Sequence, residues 1–515
     1  MILPVGRRLV VAAVVGLTGT LFGALQLRHG VIPALDTASY WSGVNAFRAG
    51  HPLTTTLAAS FSDFDVLQVL RHGGRLPFVD FPIGYPLLAG VLGVAIGART
   101  AMITVTVLAT GGMVFVGVFG PRSRPVSSSA LVLRSLLMLG IVALPVFRLT
   151  TQATLSEPLF CFAALWFVAS LVEYRDEART WWVPALLVAA CGLFRFVGAS
   201  LVVLLVAEMW RRRDGVRRIG AASAVAIGPV LANMIWVSAV GGGHRVGWRG
   251  LDGHDADIAA RSIGGWFNAR LGDLRVTYFG PDRSAAGWVW LLALAWSLVV
   301  ALAMFRPLVP PRARVSEEAM VCLRAAGVLF VGLVVGMVGF DSLVIADNRL
   351  MLPMGVLTVA AAAWSLRVVE VKLAWVVGVA VCGWLSLATG WSNWTESFTT
   401  PVRGVAIDPA VLPNGHRVAV VLSNDADSLH WASGVAAAYL PFAVNSLTGE
   451  AVDTKRLWDE LPCALRAHNG MILITQSRFG SGDVDALANL VGQGRLRAVP
   501  SRLGAAYVAA ESCDG

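Results

Sequence analysis

Long apolar runs separated by short arginine-bearing turns organise most of the chain. Arg7 and Arg8 precede an apolar stretch from Leu9 to Leu27, long enough at 1.5 Å per residue to cross ~30 Å of hydrocarbon. It reads as an uncleaved signal anchor, because a cleaved signal peptide has a shorter apolar core and a small-x-small site. The basic flank puts the N-terminus inside and Asp36 outside. Tyr85 to Gly97 is apolar but short, which predicts a re-entrant or interfacial helix, and Thr100 to Gly120 is then the second crossing. That crossing ends at the basic turn Pro121-Arg122-Ser123-Arg124-Pro125, which belongs inside.

The arginines keep the register from there. Ala130 to Phe147 goes out, and Pro158 to Val172 returns to Glu173-Tyr174-Arg175. Trp182 to Phe194 goes out and Phe196 to Trp210 comes back to the run Arg211–Arg218, leaving Arg195 at the outer turn. Ile219 to Val240 leads to a second external loop at 241–286, and Gly287 to Phe305 returns to Arg306, Arg312 and Arg314. Cys322 to Phe340, Met351 to Leu366 and Leu373 to Gly390 complete about eleven crossings. The short loop from Asp341 to Arg349 is external by this register.

After Trp391 the pattern changes. Short β-branched runs at 417–422 and 471–474 alternate with helical patterns at 428–439, 455–467 and 483–490, predicting a small α/β domain on the outside. It contains no G-x-G-x-x-G and no Walker loop. Ser423-Asn424-Asp425, directly after a strand, reads as a turn and helix-entry device ahead of a ligand site. The expected architecture is mainly α: a polytopic transmembrane domain at 1–390, with its first external loop at 28–86, and an extracytoplasmic α/β domain at 391–515.

Composition agrees with a multi-pass protein of the cell membrane. Of 515 residues, 56% are hydrophobic and 14% charged, and the mean hydropathy is +0.68, whereas soluble proteins carry ~25% charge. The net charge of +9 would admit a nucleic-acid partner, but the arginines lie in short runs between apolar segments, the positive-inside pattern. Cys161, Cys191, Cys322 and Cys382 fall in or beside apolar runs and pack as small hydrophobes; Cys463 and Cys513 share the polar C-terminal part, where an oxidising compartment would permit a disulfide. No internal repeat is apparent.

Once topology is set by arginines that play no part in any reaction, Asp36, Asp80, Glu157, Arg195, Asp347 and Arg349 all come out external. Each has a bland alternative. Asp36 is a base or an N-cap for a helix from Thr37 to Ala49. Glu157 is a ligand-binding carboxylate or a first-turn acid capped by Ser156, with Pro158 at a favoured early position. Arg195 and Arg349 bind a phosphate or snorkel to lipid headgroups, and Tyr85 stacks on a sugar or anchors at the interface. Asp63-Phe64-Asp65 has the form of a metal-holding D-x-D, a pattern common by chance. The acids and histidines of the second external loop, His244, Asp252, His254, Asp255 and Asp257, match no zinc spacing.

The order Asp36-x-x-x-Tyr40, Gly50-His51-Pro52 and Pro82-x-Gly84-Tyr85-Pro86 resembles the GT-C superfamily of membrane glycosyltransferases. The similarity is to the branch of protein O-mannosyltransferases and the lipid A aminoarabinose transferase. Ser156-Glu157-Pro158-Leu159-Phe160, Arg195-Phe196-Val197-Gly198 and Asn348-Arg349-Leu350-x-Leu352-Pro353 extend it downstream. The resemblance implies a polyprenyl-phosphate monosaccharide as donor, a glycan, lipid or protein as acceptor, no metal or other cofactor, and Asp36 as the catalytic acid residue. Asp80, Glu157 and Asp347 would then serve sugar hydroxyls or orient Asp36, with Arg195 and Arg349 on the leaving phosphate. Where protein O-mannosyltransferases carry a tandem acidic pair, this chain has Asp36-Thr37, which weighs against protein mannosylation. Two other classes fit the same sequence. A lipid-linked glycan flippase would need charges deep in the bundle, and a non-catalytic scaffold would use the external domain to bind a partner.

Overall fold

The computed structural model describes residues 3–28, 30–31, 35–58, 66–78, 81–123, 125–240, 316–339, 348–365, 418–441, 454–475, 484–499 and 504–510. In chain order these form α1 (Val5–Gln26), α2 (Leu35–Arg48), β1 (Thr54–Thr55), β2 (Leu57–Ala58), α3 (Val66–Arg71), β3 (Leu76–Pro77), α4 (Gly84–Ile96) and α5 (Ala98–Phe119). There follow α6 (Ser128–Ala143), α7 (Pro145–Gln152), α8 (Glu157–Arg175), α9 (Trp182–Phe194), a 3-10 turn (Phe196–Leu201), α10 (Val202–Arg211) and α11 (Val216–Val240). Then come α12 (Glu317–Gly339), α13 (Asn348–Ser365), β4 (Val420–Ser423), α14 (Ala426–Ser433) and β5 (Ala436–Tyr439). The chain ends with α15 (Lys455–Ala467), β6 (Gly470–Thr475), α16 (Val484–Gly492), β7 (Leu496–Val499) and β8 (Gly504–Ala509). Two compact units divide these residues: Met1–Val31, Ile103–Trp236 and Val246–Phe398 make one, and Ile32–Met102, Val237–Arg245 and Thr399–Gly515 the other.

The first unit is helical and marks a membrane protein. Among the described residues four helices are long and apolar enough to span a bilayer: α1, α5, α8 and residues Val216–Val237 of α11. On α1, Val10, Val14, Leu17 and Leu21 are exposed along one face, an arrangement suited to lipid. The opposite face carries Ala12, Gly16, Gly19 and Gly23, and a Cβ at Gly16 or Gly19 would collide with Phe115 or Val114 of α5. Small residues here let two helices approach closely, as at many intramembrane contacts. α8 is instead buried on nearly every side, at the centre of this core.

The turns expected inside meet at one end of this unit. Arg8 donates to the carbonyl oxygens of Phe119 (2.8 Å) and Pro121 (3.2 Å), and the Arg122 amide donates to Glu173 Oε1 at 3.0 Å. Ser123 donates to Asp176 at 2.6 Å, and Arg175 pairs with Glu317. Glu157 lies at the other end of α8, roughly 28 Å away at 1.5 Å per residue.

Two boundaries differ from expectation. The run from Ala130 to Phe147 is broken between α6 and α7, because Pro145 forces the preceding Leu144 into an extended conformation (φ −61°, ψ 138°) and then opens the next helix itself. The expected Phe196–Trp210 helix begins as the 3-10 turn, with Arg195 extended before it (φ −150°, ψ 124°). The turn folds back so closely that a Cβ on Gly198 would overlap the Cys191 carbonyl. Gly198→Ala should therefore lower stability by about 1–3 kcal/mol, the usual effect of overpacking, readable as a lower melting temperature of the purified protein; an unchanged melting temperature would refute this contact.

The second unit is built on a six-stranded sheet in the order β2-β5-β4-β6-β8-β7, in which β2, β5, β4 and β6 are parallel and β8 runs antiparallel to both of its neighbours, β6 and β7. To the α/β domain expected at 391–515 it adds residues 32–102, since β2 from the first loop pairs with β5 (Leu57 opposite Ala437). The helix expected at 428–439 stops at Ser433. Gly434 takes the left-handed conformation (φ 74°) that ends helices without steric penalty, and Ala436–Tyr439 becomes a strand. α15, α16 and β6 lie where the pattern put them, whereas β7 and β8 were not anticipated.

Candidate functional site

In the second unit the first residues of α2 carry the leading candidate. Asp36 is within the first turn, where a carboxylate faces the unpaired amides of the helix N-terminus, and Arg48 occupies the last turn. It is only 8% exposed, and because α2 begins at Leu35 it lies within the helix instead of ahead of it as an N-cap. The rest of α2 is buried on all sides from Thr37 to Val44, against α4, α14, β1 and β2. Ser42 Oγ fixes the segment between these two strands by accepting from the Thr56 amide at 2.6 Å and from Thr55 Oγ1 at 2.9 Å.

Tyr85 has no exposed surface. Its ring packs 4.8 Å from Tyr40, and its hydroxyl donates to the Met102 carbonyl at 3.3 Å. It is therefore buried in the core of this unit. Tyr40 also contacts Phe81 at 5.1 Å.

α14 packs on α2. Ala38 of α2 packs with Ala426, Leu57 and Ala437, and the acid that follows Ala426 is Asp427. Asp427 is 8% exposed; its Oδ2 accepts from the Tyr439 hydroxyl at 2.7 Å, and its Oδ1 receives no hydrogen bond among the described residues. Burial pushes Asp427 up to about 7. The like charges of Asp425 and Asp36 act in the same direction, against the bond from Tyr439. The Tyr439 phenol is itself driven above its ordinary range by burial and by the charge on Asp427.

His430 sits one turn further along α14, on the same face as Asp427. Its Nδ1 lies 2.7 Å from the Val435 carbonyl, which can only accept, so Nδ1 carries the proton and Nε2 presents a lone pair that no donor among the described residues meets. Burial lowers its pKa to about 4, so the ring is neutral. Trp41 of α2 packs edge-on to this ring at 5.0 Å and to Trp431 at 5.4 Å. The Arg99 guanidinium lies over both indoles, 5.1 Å from Trp41 and 4.6 Å from Trp431.

β4 and β6 are adjacent strands whose connections leave in opposite directions, β4 through α14 to β5 on one side and β6 through α16 to β7 on the other. The loop beyond the carboxyl end of β4 is the switch point at which open α/β sheets place ligands. Ser423-Asn424-Asp425 is that loop. Ser423 Oγ accepts from the Asp425 amide at 3.1 Å, so the expected turn device is present, and the same loop delivers Asp427.

In the first unit, Glu157 and Arg195 form an ion pair. Glu157 begins α8 with no exposed surface, Pro158 follows it, and Ser156 makes no side-chain capping bond. Arg195 reaches it from the break between α9 and the 3-10 turn. Of the other expected residues, Arg349 lies in α13 but its side chain is outside the described residues. Asp80, Asp347, the Asp63/Asp65 pair, Cys513 and the loop at 241–286 are outside them too. Among the described residues no group of three or more His, Cys, Asp or Glu is placed to hold a metal ion.

Asp427, His430 and Tyr439 were missed by sequence reasoning. Asp427 follows a strand as many helix-entry acids do, and nothing local to it points to α2. No family model matches this chain, and none of the curated proteins does.

Proposed function

We propose that this protein is a GT-C-type membrane glycosyltransferase, moving one sugar from a polyprenyl-phosphate donor to an extracytoplasmic glycan, lipid or protein, with inversion. The carrying observation is the state of Asp36: a buried carboxyl at the head of α2, within electrostatic reach of a second buried carboxyl, Asp427. Carboxyl pairs withdrawn from water are a hallmark of acid–base sites. The acceptor hydroxyl attacks the anomeric carbon, its proton passes to Asp36, and the bond from that carbon to the phosphate oxygen breaks with its electrons leaving on the polyprenyl phosphate. Arg195, oriented by Glu157, and Arg349 would stabilise the leaving phosphate, while Asp80 and Asp347 would bind sugar hydroxyls. In this reading about eleven helices cross the cell membrane, with the N-terminus cytoplasmic and Asp36 and the C-terminal domain outside. The donor rests on the resemblance to the GT-C superfamily, and the topology on the arginine register.

The test is single-turnover transfer by purified protein from a panel of radiolabelled polyprenyl-phosphate monosaccharides, with membrane extract as acceptor. One donor should be consumed, and Asp36→Asn should reduce the rate by roughly 10²–10⁴-fold, the contribution of a general base. Undiminished transfer in the variant would remove Asp36 from the reaction. Movement of labelled lipid-linked sugar across vesicles without bond formation would make the protein a flippase.

A further inference from the structure

Three distant parts of the chain meet at Arg99. Its guanidinium rests in the corner between the Trp41 and Trp431 rings, 5.1 and 4.6 Å from their centroids, and donates to the Trp431 carbonyl. The two indoles meet edge-on at 5.4 Å, so rings and carbonyl together fix the charge in one place. The residue is nevertheless exposed, and no carboxylate among the described residues pairs with it. A guanidinium presents its N–H groups in a planar fork, and one carbonyl leaves most of that fork open to an anion.

The surroundings say which anion. Arg99 stands in the first turn of α5, a helix long and apolar enough to span a bilayer, which sets it at the level of lipid phosphates. Only Gly97 separates α5 from α4, whose 13 residues make it roughly 20 Å long, short of the ~30 Å needed to cross. One face of α4 packs on α2: a Cβ at Gly90 would meet the Phe47 ring at 2.7 Å, and one at Gly93 would meet Arg48 Cδ at 3.2 Å. Another face presents Leu88, Val91 and Val94, three residues apart and 44%, 63% and 66% exposed, with Ile96 beyond them. Large apolar side chains in such a row mark a surface that is covered in use. Arg48, which crosses α4 at Gly93, is a second exposed guanidinium, and among the described residues it bonds only Asn45 Oδ1, at 3.4 Å. Hydrocarbon on one face and two basic groups towards the C-terminal end of α4 complement a phospholipid, chain and phosphate alike.

We propose that this face docks on the bilayer: α4 lies in the interfacial layer with Leu88, Val91 and Val94 among acyl chains, and Arg99, clamped by Trp41 and Trp431, binds the phosphate of a phospholipid. Of the two expectations for Tyr85 to Gly97, this selects the interfacial helix. Because Trp431 belongs to α14, the clamp ties the C-terminal part of the second unit to the same lipid. The inference is independent of the glycosyltransferase reading and needs no sugar to be tested.

In nanodiscs of phosphatidylcholine and phosphatidylglycerol, a spin label on full-length Val91→Cys, read above the labelled wild-type background, should be accessible to oxygen and hidden from a water-soluble nickel chelate. Access to nickel would put the face in water, and access to neither would put protein against it, a second copy included; either result overturns the docking. For the phosphate, native mass spectrometry compares wild type and Arg99→Gln with added phosphatidylglycerol, diacylglycerol or polyprenyl phosphate. Affinity for phosphatidylglycerol should fall roughly tenfold in the variant, the scale of one charge-assisted hydrogen bond, while diacylglycerol binding stays the same. Equal affinity of both proteins for phosphatidylglycerol overturns the role of Arg99. So does a loss confined to polyprenyl phosphate, which would assign the residue to a donor site. Where Arg99→Gln folds poorly, Val91→Glu carries the test, since its site is exposed: it should weaken phosphatidylglycerol binding as well, and unchanged binding would overturn the proposal.

Discussion

Arg195→Met should destabilise the transmembrane unit by about 3–5 kcal/mol, because it leaves Glu157, a carboxylate with no exposed surface, without its ion-pair partner. The loss should be largely recovered in Arg195→Met/Glu157→Gln, since replacing both members of a buried pair removes the uncompensated charge as well as the attraction. Melting temperatures of the two variants and of Glu157→Gln in one detergent form a double-mutant cycle. If the double variant is as unstable as Arg195→Met, Glu157 is not the group being neutralised. The same variants bear on function. A pair that only secures the break before the 3-10 turn predicts that the double variant regains activity along with stability. A guanidinium that also serves the leaving phosphate predicts recovered stability without recovered transfer.

Asp427→Asn should make the second unit more stable above pH 7 by up to about 4 kcal/mol relative to its effect at pH 4, given a carboxyl raised from 3.8 to about 7. The native state holds this proton after the unfolded state has released it. Stability therefore falls as pH rises from about 4 to 7 and then levels off, and asparagine, which cannot ionise, removes that fall. His430 acts oppositely. Its folded value is depressed from 6.5 to about 4, so the stability from its neutral ring is present above 6.5 and lost as pH drops through that window, by about 3 kcal/mol in all. In the wild type the two nearly offset between pH 4 and 6.5. In Asp427→Asn the acid-side loss from His430 should stand uncovered. Hydrogen exchange of the β4 and β6 amides against pH, corrected for intrinsic rates, measures both; a difference between variant and wild type that does not vary with pH would refute the buried titration.

Much of the helical plan can be read from the residues, because lipid-facing runs and arginine turns are local signals. Arg195 at the end of α9, and the meeting of the basic turns at one end of α8, follow from hydrophobic length and charge placement alone. Where the reading failed, a contact from elsewhere decided. Ala436-Ala437-Ala438-Tyr439 has good helix formers, yet pairing with β4 on one side and β2 on the other makes it a strand. β2 itself, two residues in a polar loop, has no pattern to find. Ala130 to Phe147 was legible but misread, since Pro145 announces the break. The candidate site shows the same limit: Asp36 was found from its place after the first apolar helix, while Asp427 means little until α14 is known to lie on α2.

The edge strand borrowed from the first loop also orders events in time. Residues 32–102 leave the ribosome well before the strand that β2 will pair with, and the roughly 300 residues between take about 15–60 s at 5–20 residues per second. Through that interval α2 has neither its sheet nor α14 to cover Trp41. The loop thus passes through a vulnerable nascent stage, open to proteases and holdases, and a chain terminated before residue 418 never leaves it.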